Sequence, residues 1–186
     1  AQVRPRVERC ELCAMELAAV HDHLLEAERR QLRCACGACS RLLDEGRWTL
    51  VRHRVQRLAD VRLTDDEWQS LGLPIDLAFF VWSSAAGRAL ALYPSPGGLV
   101  ESDVALPAWD GLVAAHPALG SLRPDVEALL ARRTGSRRDH YLVSVDECYR
   151  LVGLMRLHWR GFAGGPEVEA RIEDFFAELD RMDRAR

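Results

Sequence analysis

The sequence predicts an α+β protein: a small N-terminal zinc-ribbon-like module, then a mostly antiparallel sheet packed with helices, and a helical C-terminus. Five of the six cysteines lie between positions 10 and 39. Two apolar runs, 77–82 and 88–93, flank a segment of small residues, which is typical of a β-hairpin. Apolar residues at helical spacing after Pro166 predict a C-terminal helix that packs on the sheet.

The cysteines of the N-terminal module form two chelating pairs, Cys10-x-x-Cys13 and Cys36-x-x-Cys39, separated by 22 residues. The short loop in each pair lets both sulfurs reach one ion, and two such pairs complete a tetrahedral shell. Four thiolates make a closed site, whereas catalytic zinc sites keep an open position. We therefore expect one structural Zn²⁺ on these four residues. An iron–sulfur cluster, which also uses four cysteines, is the less favoured alternative.

Three further residues of the module are potential ligands. Cys34 lies two positions before Cys36, and His21 and His23 have the same spacing. Residues i and i+2 of a strand point to the same side, so either pair can face a metal. One alternative is a shell of three cysteines and His23; another is a spare buried thiol and solvent-facing histidines. Two metal ions in the module are a less favoured alternative. The helix propensity of residues 14–32 competes with the hairpin of a zinc ribbon, and the sequence leaves that choice open.

A change in composition after residue 43 predicts the domain boundary. No clustered cysteines follow, and Asp44-Glu45-Gly46 is a turn-forming sequence. We place the cysteine-rich metal-binding module at residues 1–43 and the α+β domain at residues 44–186.

Local signals predict the elements of the α+β domain in order. Thr64 and Glu67 form a capping box that begins a short helix, and Ser144 and Glu147 form a second one, beginning a helix that ends near Trp159. The other predictions are an extended segment at 47–58, short helices after Pro107 and after Pro124, and a strand at 141–145.

Composition excludes several classes of function. All 25 basic residues are arginines, so the chain has no lysine and lysine-dependent enzymes are excluded. The net charge is −3. The slight acidity gives no global attraction to nucleic acid. No apolar run approaches the roughly 20 residues that span a bilayer. Cysteines clustered at short spacing favour a metal over disulfides, and we expect a cytoplasmic protein.

Outside the module, Cys148 is a candidate nucleophile, with His140 or His158 as its base. Cys148 also shares the apolar face of its predicted helix with Val152 and Met155, which favours a buried core thiol. The sequence contains no nucleophile elbow, phosphate-binding loop, zinc-protease motif or dinucleotide fingerprint. We therefore expect a protein that is not an enzyme.

Several unusual motifs follow one another along the chain. They are C-E-L-C at 10–13, H-x-H-L at 21–24, C-A-C-x-A-C at 34–39, L-A-F-F at 77–80, Y-P-S-P at 93–96, C-Y-R-L-V-G at 148–153 and L-H-W-R-G-F at 157–162. Together they resemble a small family of unknown function encoded beside uptake [NiFe]-hydrogenase genes in high-GC soil bacteria. The resemblance covers nearly the whole chain and places His21, His23 and Cys34 within the family's motif. It implies no reaction, but an accessory, assembly or interaction role.

These observations together predict a non-enzymatic accessory protein with one structural zinc. Its expected partner is a protein, and the resemblance points to a [NiFe]-hydrogenase subunit or an electron-transfer protein. A metal-handling or iron–sulfur redox protein that uses the same cysteine and histidine residues is the first alternative. A zinc-module nucleic-acid binder is the second, and the net charge disfavours it.

Overall fold

The computed structural model describes residues 7–44, 46–73, 75–95, 98–104, 106–160 and 164–185. The chain divides into two compact units, Ala1–Arg52 and His53–Arg186. The predicted α+β class is confirmed, because the strands pair in antiparallel sheets and the C-terminus is helical. Within the described residues, no helix combines the length and the apolar character that crossing a membrane requires.

In its described residues, the first unit contains a three-stranded antiparallel sheet in the order β2-β1-β3 and a short helix. The elements are β1 Asp22–Glu26, β2 Gln31–Ala35, α1 Gly37–Leu42 and β3 Trp48–Val51. The hairpin of β1 and β2 therefore forms despite the helix propensity of residues 14–32. Tertiary packing decides this, since the pleat places Leu24 and Ala35 in one small core with Leu50 of β3.

The first unit extends through Arg52, whereas the predicted boundary is at residue 43. The reason is β3, which pairs with β1 over the register His23↔Val51 to Glu26↔Trp48. Glu45, in the middle of the turn predicted at the boundary, lies outside the described residues.

The described residues of the second unit form a six-stranded antiparallel sheet in the order β4-β9-β8-β5-β6-β7. Its strands are β4 Val55–Arg57, β5 Leu77–Ser83, β6 Arg88–Ser95, β7 Gly98–Asp103, β8 Glu127–Thr134 and β9 Arg137–Ser144. Its helices are α2 Asp65–Ser70, α3 Leu106–Ala115, a 3-10 helix Pro117–Ser121, α4 Val145–His158 and α5 Gly165–Arg184.

Most local predictions for this unit are confirmed. The hairpin is β5 and β6, and Thr64 and Glu67 form the predicted capping box at α2. Ser144 is the N-cap of α4, but its side chain does not cap the helix, and instead its hydroxyl accepts a hydrogen bond from the Arg54 N–H. The helix predicted after Pro124 is wrong, because that segment becomes β8.

The register of the central strands groups the core side chains by face. Leu142 on β9 lies opposite Leu129 on β8, which in turn lies opposite Phe80 on β5. On this face the Phe80 ring contacts Trp68 of α2 and Trp109 of α3, with ring centroids 6.3 and 6.2 Å away. Helices α2 and α3 therefore cover one side of the sheet.

The C-terminal helices cover the opposite side. The ring of Tyr141 on β9 lies 5.8 Å from the ring of Phe176 on α5, and its hydroxyl donates to Asp180 at 2.6 Å. The apolar stripe predicted for α5 faces inward, with Val168, Phe175, Phe176 and Leu179 buried. Because both faces are covered, most residues of β8 and β9 are buried in succession and not in alternation.

Candidate metal centre

The first cysteine pair lies in a tight turn near the start of the described residues. The Ala14 N–H donates to the Cys10 carbonyl at 2.8 Å, and the Cys10 N–H donates to the Met15 carbonyl at 2.8 Å. Ala14 has a φ of 62°, the left-handed conformation that lets the chain reverse directly after Cys13. Local backbone bonds therefore fix both sulfurs on one side of the turn.

The second pair lies where β2 ends and α1 begins. Cys36 is the N-cap of α1 and Cys39 lies in its first turn. The Ser40 N–H donates to the Cys36 carbonyl at 2.9 Å, and the Ser40 hydroxyl donates to the Asp22 carboxylate at 2.6 Å. The second bond fixes the start of α1 against the start of β1.

The fold brings the four predicted cysteines together. Their Sγ atoms all lie within 4.8 Å of one another, and the Cys13 and Cys36 sulfurs are 3.7 Å apart. A tetrahedral ion with metal–sulfur bonds of roughly 2.3 Å separates its sulfurs by about 3.8 Å. An iron–sulfur cluster inserts its own irons and sulfides between the cysteines, which requires wider spacing. The arrangement fits a single tetrahedral ion, and the geometry does not identify the element.

Hydrogen bonds divide the four thiols into two types. Burial acts to raise the pKa of Cys10, but the N–H groups of Cys36, Leu12 and Cys13 outweigh it and lower that pKa to about 6. The Cys39 N–H likewise lowers the pKa of Cys36. The thiol of Cys39 donates to Cys13 and Cys36, which raises its own pKa to about 12. The four thiols thus differ in acidity, and a bound cation displaces the protons that they still carry.

Glu11, between the first two cysteines, attaches this turn to β2. Its N–H donates to the Cys34 carbonyl at 3.0 Å, and its carboxylate accepts from the Cys34 N–H at 3.0 Å. The Arg33 guanidinium donates to the same carboxylate at 2.6 Å. Sequence reasoning missed this contact, because no local pattern indicates which partner a residue finds on a distant strand.

Cys34, His21 and His23 are grouped separately from the four cysteines. One potential ligand atom from each lies within 4.8 Å of the other two. The sequence left open whether Cys34 joins the other cysteines, and the structure places it beside the two histidines. Burial and the carboxylates of Glu11 and Glu8 raise the pKa of Cys34.

The profile of a protein family described as "Family of unknown function (DUF5947)" matches residues 9–183. The chain belongs to DUF5947. No curated protein and no solved structure matches it. Membership of DUF5947 supplies no reaction, so any functional argument depends on the residues of this chain.

Cys148, the candidate nucleophile of this DUF5947 chain, is buried in the second unit. Cys148 is fully buried, and burial raises the pKa of its thiol well above the ordinary value, with the charges of Glu147 and Asp146 adding to the effect. His158, one of its two proposed bases, instead contacts Glu167 through Nδ1 at 2.7 Å. Cys148 is therefore a core thiol, as the apolar pattern of its helix indicates.

The second unit also contains a cavity of about 570 Å³ beside α5, with Met155 and Ile172 among its apolar walls. Arg132 and Glu173 also line this cavity. The Arg132 guanidinium, which is 4% exposed, donates to Asp139 and to Glu173, both at 2.8 Å. The charge of Arg132 is thus paired with carboxylates of the same unit.

Proposed function

We propose that the protein is a non-enzymatic accessory protein whose first unit is held by one structural Zn²⁺. The observation that carries this proposal is the closed set of four sulfurs from Cys10, Cys13, Cys36 and Cys39, all within 4.8 Å. A tetrahedral ion bound by four thiolates has no open position for a substrate or an activated water. Such an ion stabilises a segment that is too small to fold on its own core.

Exposed apolar side chains of the first unit support a role in protein contact. Seven large apolar residues are exposed in the described part of the chain, and six of them belong to this unit. The six are Val7, Leu12, Met15, Val20, Leu42 and Leu43. Leu12 lies inside the first cysteine loop and Met15 lies two residues after it, so we expect ordering of the loop by a metal to order both side chains. Exposed methionine and other apolar residues are typical of partner-binding surfaces.

We propose a [NiFe]-hydrogenase subunit, or one of its electron-transfer proteins, as the partner and the cytoplasm as the compartment. The support is the resemblance of the motifs between 10–13 and 157–162, within a chain that belongs to a family of unknown function. A net charge of −3 disfavours the nucleic-acid alternative.

Affinity purification from a hydrogenase-producing cell tests the partner. We expect the tagged protein to retain a hydrogenase subunit, and the Leu12→Asp/Met15→Asp variant to lose it while keeping its zinc. Leu157→Asp is the matched control, since Leu157 is an exposed apolar residue of the second unit. Equal recovery with all three proteins would contradict a contact through the first cysteine loop, and absence of the subunit from all three would contradict the choice of partner.

Metal analysis tests the ion. Protein purified without added metal is expected to be colourless and to contain one tightly held zinc per chain. A coloured protein with iron as its main metal would favour the iron-containing alternative instead.

A further inference from the structure

His21, His23 and Cys34 form a second cluster of metal-binding side chains, and none of them belongs to the four-cysteine site. His23 on β1 and Cys34 on β2 are directly opposite in the antiparallel register. Side chains opposite each other in such a pair lie on the same face, about 5 Å apart at Cβ. His21 directly precedes β1, and its ring centroid lies 5.0 Å from that of His23. One potential ligand atom from each of the three residues lies within 4.8 Å of the other two.

The His21 ring has one nitrogen that needs a partner. Its Nδ1 lies 3.0 Å from the Ala18 carbonyl oxygen. A carbonyl only accepts, so Nδ1 carries the proton and Nε2 presents a lone pair. The side chain is 9% exposed, and Nε2 is buried without a hydrogen bond to any residue in the described part of the chain. A buried acceptor left unpaired destabilises a fold, so such atoms normally have a partner.

This environment matches that of a metal-binding histidine. Histidines that bind metals usually donate their other ring N–H to a backbone carbonyl or a carboxylate, which orients the ring and raises its basicity. At His21 the Ala18 carbonyl takes that role, and the Glu8 carboxylate lies 3.7 Å from the same Nδ1. The free lone pair on Nε2 is then available to an ion held also by His23 and Cys34.

We propose that His21, His23 and Cys34 bind a second, exchangeable transition-metal ion. Two imidazoles and a thiolate suit late first-row ions such as Zn²⁺ and copper. Three protein donors leave one position of a tetrahedral ion for water or an outside ligand, unlike the closed four-cysteine site. A cavity of about 290 Å³ adjoins His21, one of the three donors. This second ion would have a role other than holding the first unit together, because the ion on the four cysteines suffices for that role.

Zinc titration of the full chain tests the second site. Purified protein is dialysed against ZnSO₄, and bound metal is measured before and after exposure to a weak chromophoric chelator. We expect about two Zn²⁺ per chain at saturation, of which the chelator removes one. His23→Ala and Cys34→Ser are expected to bind about one, which the chelator does not remove. Retention of that tight ion shows that the first unit is still folded in the variants.

His53→Ala is the matched control, because this histidine has a side chain 60% exposed and lies outside the cluster. It is expected to bind as much zinc as the wild type. A second readout is the ¹⁵N NMR signal of the His21 ring, whose Nε2 resonance should shift when the second equivalent binds. The proposal is wrong if the wild type saturates at one ion. It is equally wrong if His23→Ala and Cys34→Ser still take up the second one.

Discussion

Among the described residues, one core cluster of the second unit contains sixteen buried residues, whereas the core cluster of the first unit contains three, Leu24, Ala35 and Leu50. The second unit stabilises itself by apolar burial on both faces of a sheet. The first unit has too little apolar area for that, since domains of about 50 residues are marginal without a cross-link. Its four sulfurs lie where a cross-link is needed, between the N-terminal turn and the junction of β2 with α1. We therefore expect the two units to depend on different solution conditions, and each to be perturbed without the other.

The largest effect is expected from the loss of the metal. Cys10→Ser removes one of the four sulfurs, and structural zinc sites contribute on the order of 10–16 kcal/mol to folding. We expect the amides of residues 7–52 to lose protection from hydrogen exchange, while those of β5, β8 and β9 keep it. Cys34→Ser is the control and should preserve protection. If the first unit stays protected in Cys10→Ser, apolar packing is sufficient to fold it, and the contrast between the two units is wrong.

A truncated side chain in the core of the second unit should destabilise that unit and leave the first unit folded. Phe80 is fully buried between Trp68 and Trp109, so Phe80→Ala is expected to lower the free energy of unfolding of the second unit by about 3–5 kcal/mol. Denaturant titration followed by tryptophan fluorescence measures this change, and zinc content should stay the same. Leu157→Ala, at a position 73% exposed, should change stability by less than about 0.5 kcal/mol. A loss of zinc in Phe80→Ala would show that the units are energetically coupled.

Acid should weaken the second unit through His140. Burial lowers the pKa of His140 to about 4; Asp139 opposes this shift, and the positive charges of His116 and Arg138 add to it. An unfolded histidine has a pKa of about 6.5, so between the two values the unfolded chain binds a proton that the folded one does not. The free energy of unfolding therefore falls by about 3 kcal/mol as the pH drops from 6.5 to 4.

Substitution of His140 separates this effect from other acid-sensitive groups. His140→Leu cannot bind the proton, so its stability should depend less steeply on pH over that window. Hydrogen exchange at β8 and β9 follows the second unit alone, which matters because acid also protonates the thiolates of the first unit. The same pH dependence in both proteins would rule His140 out as the cause.

The smallest effect is expected at the beginning of α2. The Glu67 N–H donates to the Thr64 hydroxyl at 3.2 Å, and the Thr64 N–H donates to the Glu67 carboxylate at 2.7 Å. Thr64→Ala should lower the stability of the second unit by about 1 kcal/mol, measured as a shift in its denaturation midpoint. Thr64→Ser should restore most of it. If Thr64→Ala also destabilised the first unit, the two units would not be energetically independent.

Where the sequence predicts the fold correctly, the signal is local. The capping box needs only Thr64 and Glu67, and the hairpin needs only the two apolar runs and the turn within residues 77–93. The helix expected after Pro124 is wrong because distant strands decide the outcome. Leu129 lies between Phe80 of β5 and Leu142 of β9, and this pairing selects a strand from an apolar run that a helix could equally use.

The same distinction applies to the candidate site. Spacing alone groups Cys10 with Cys13, and Cys36 with Cys39, so the four-sulfur cluster was predictable. Spacing could not separate Cys34 from Cys36, because both were expected on one strand. In the structure β2 ends at Ala35 and Cys36 turns into α1, so the two sulfurs diverge.

The order of strands also sets an order of assembly during synthesis. All proposed metal-binding residues lie within residues 10–39, and the last strand of the first unit ends at Val51. The sheet of the second unit is complete only when β4 pairs with β9, with Val55 opposite Val143. Chains fold from the N-terminus as they leave the ribosome. A nascent chain therefore presents all the proposed metal-binding residues while most of the second unit is still untranslated.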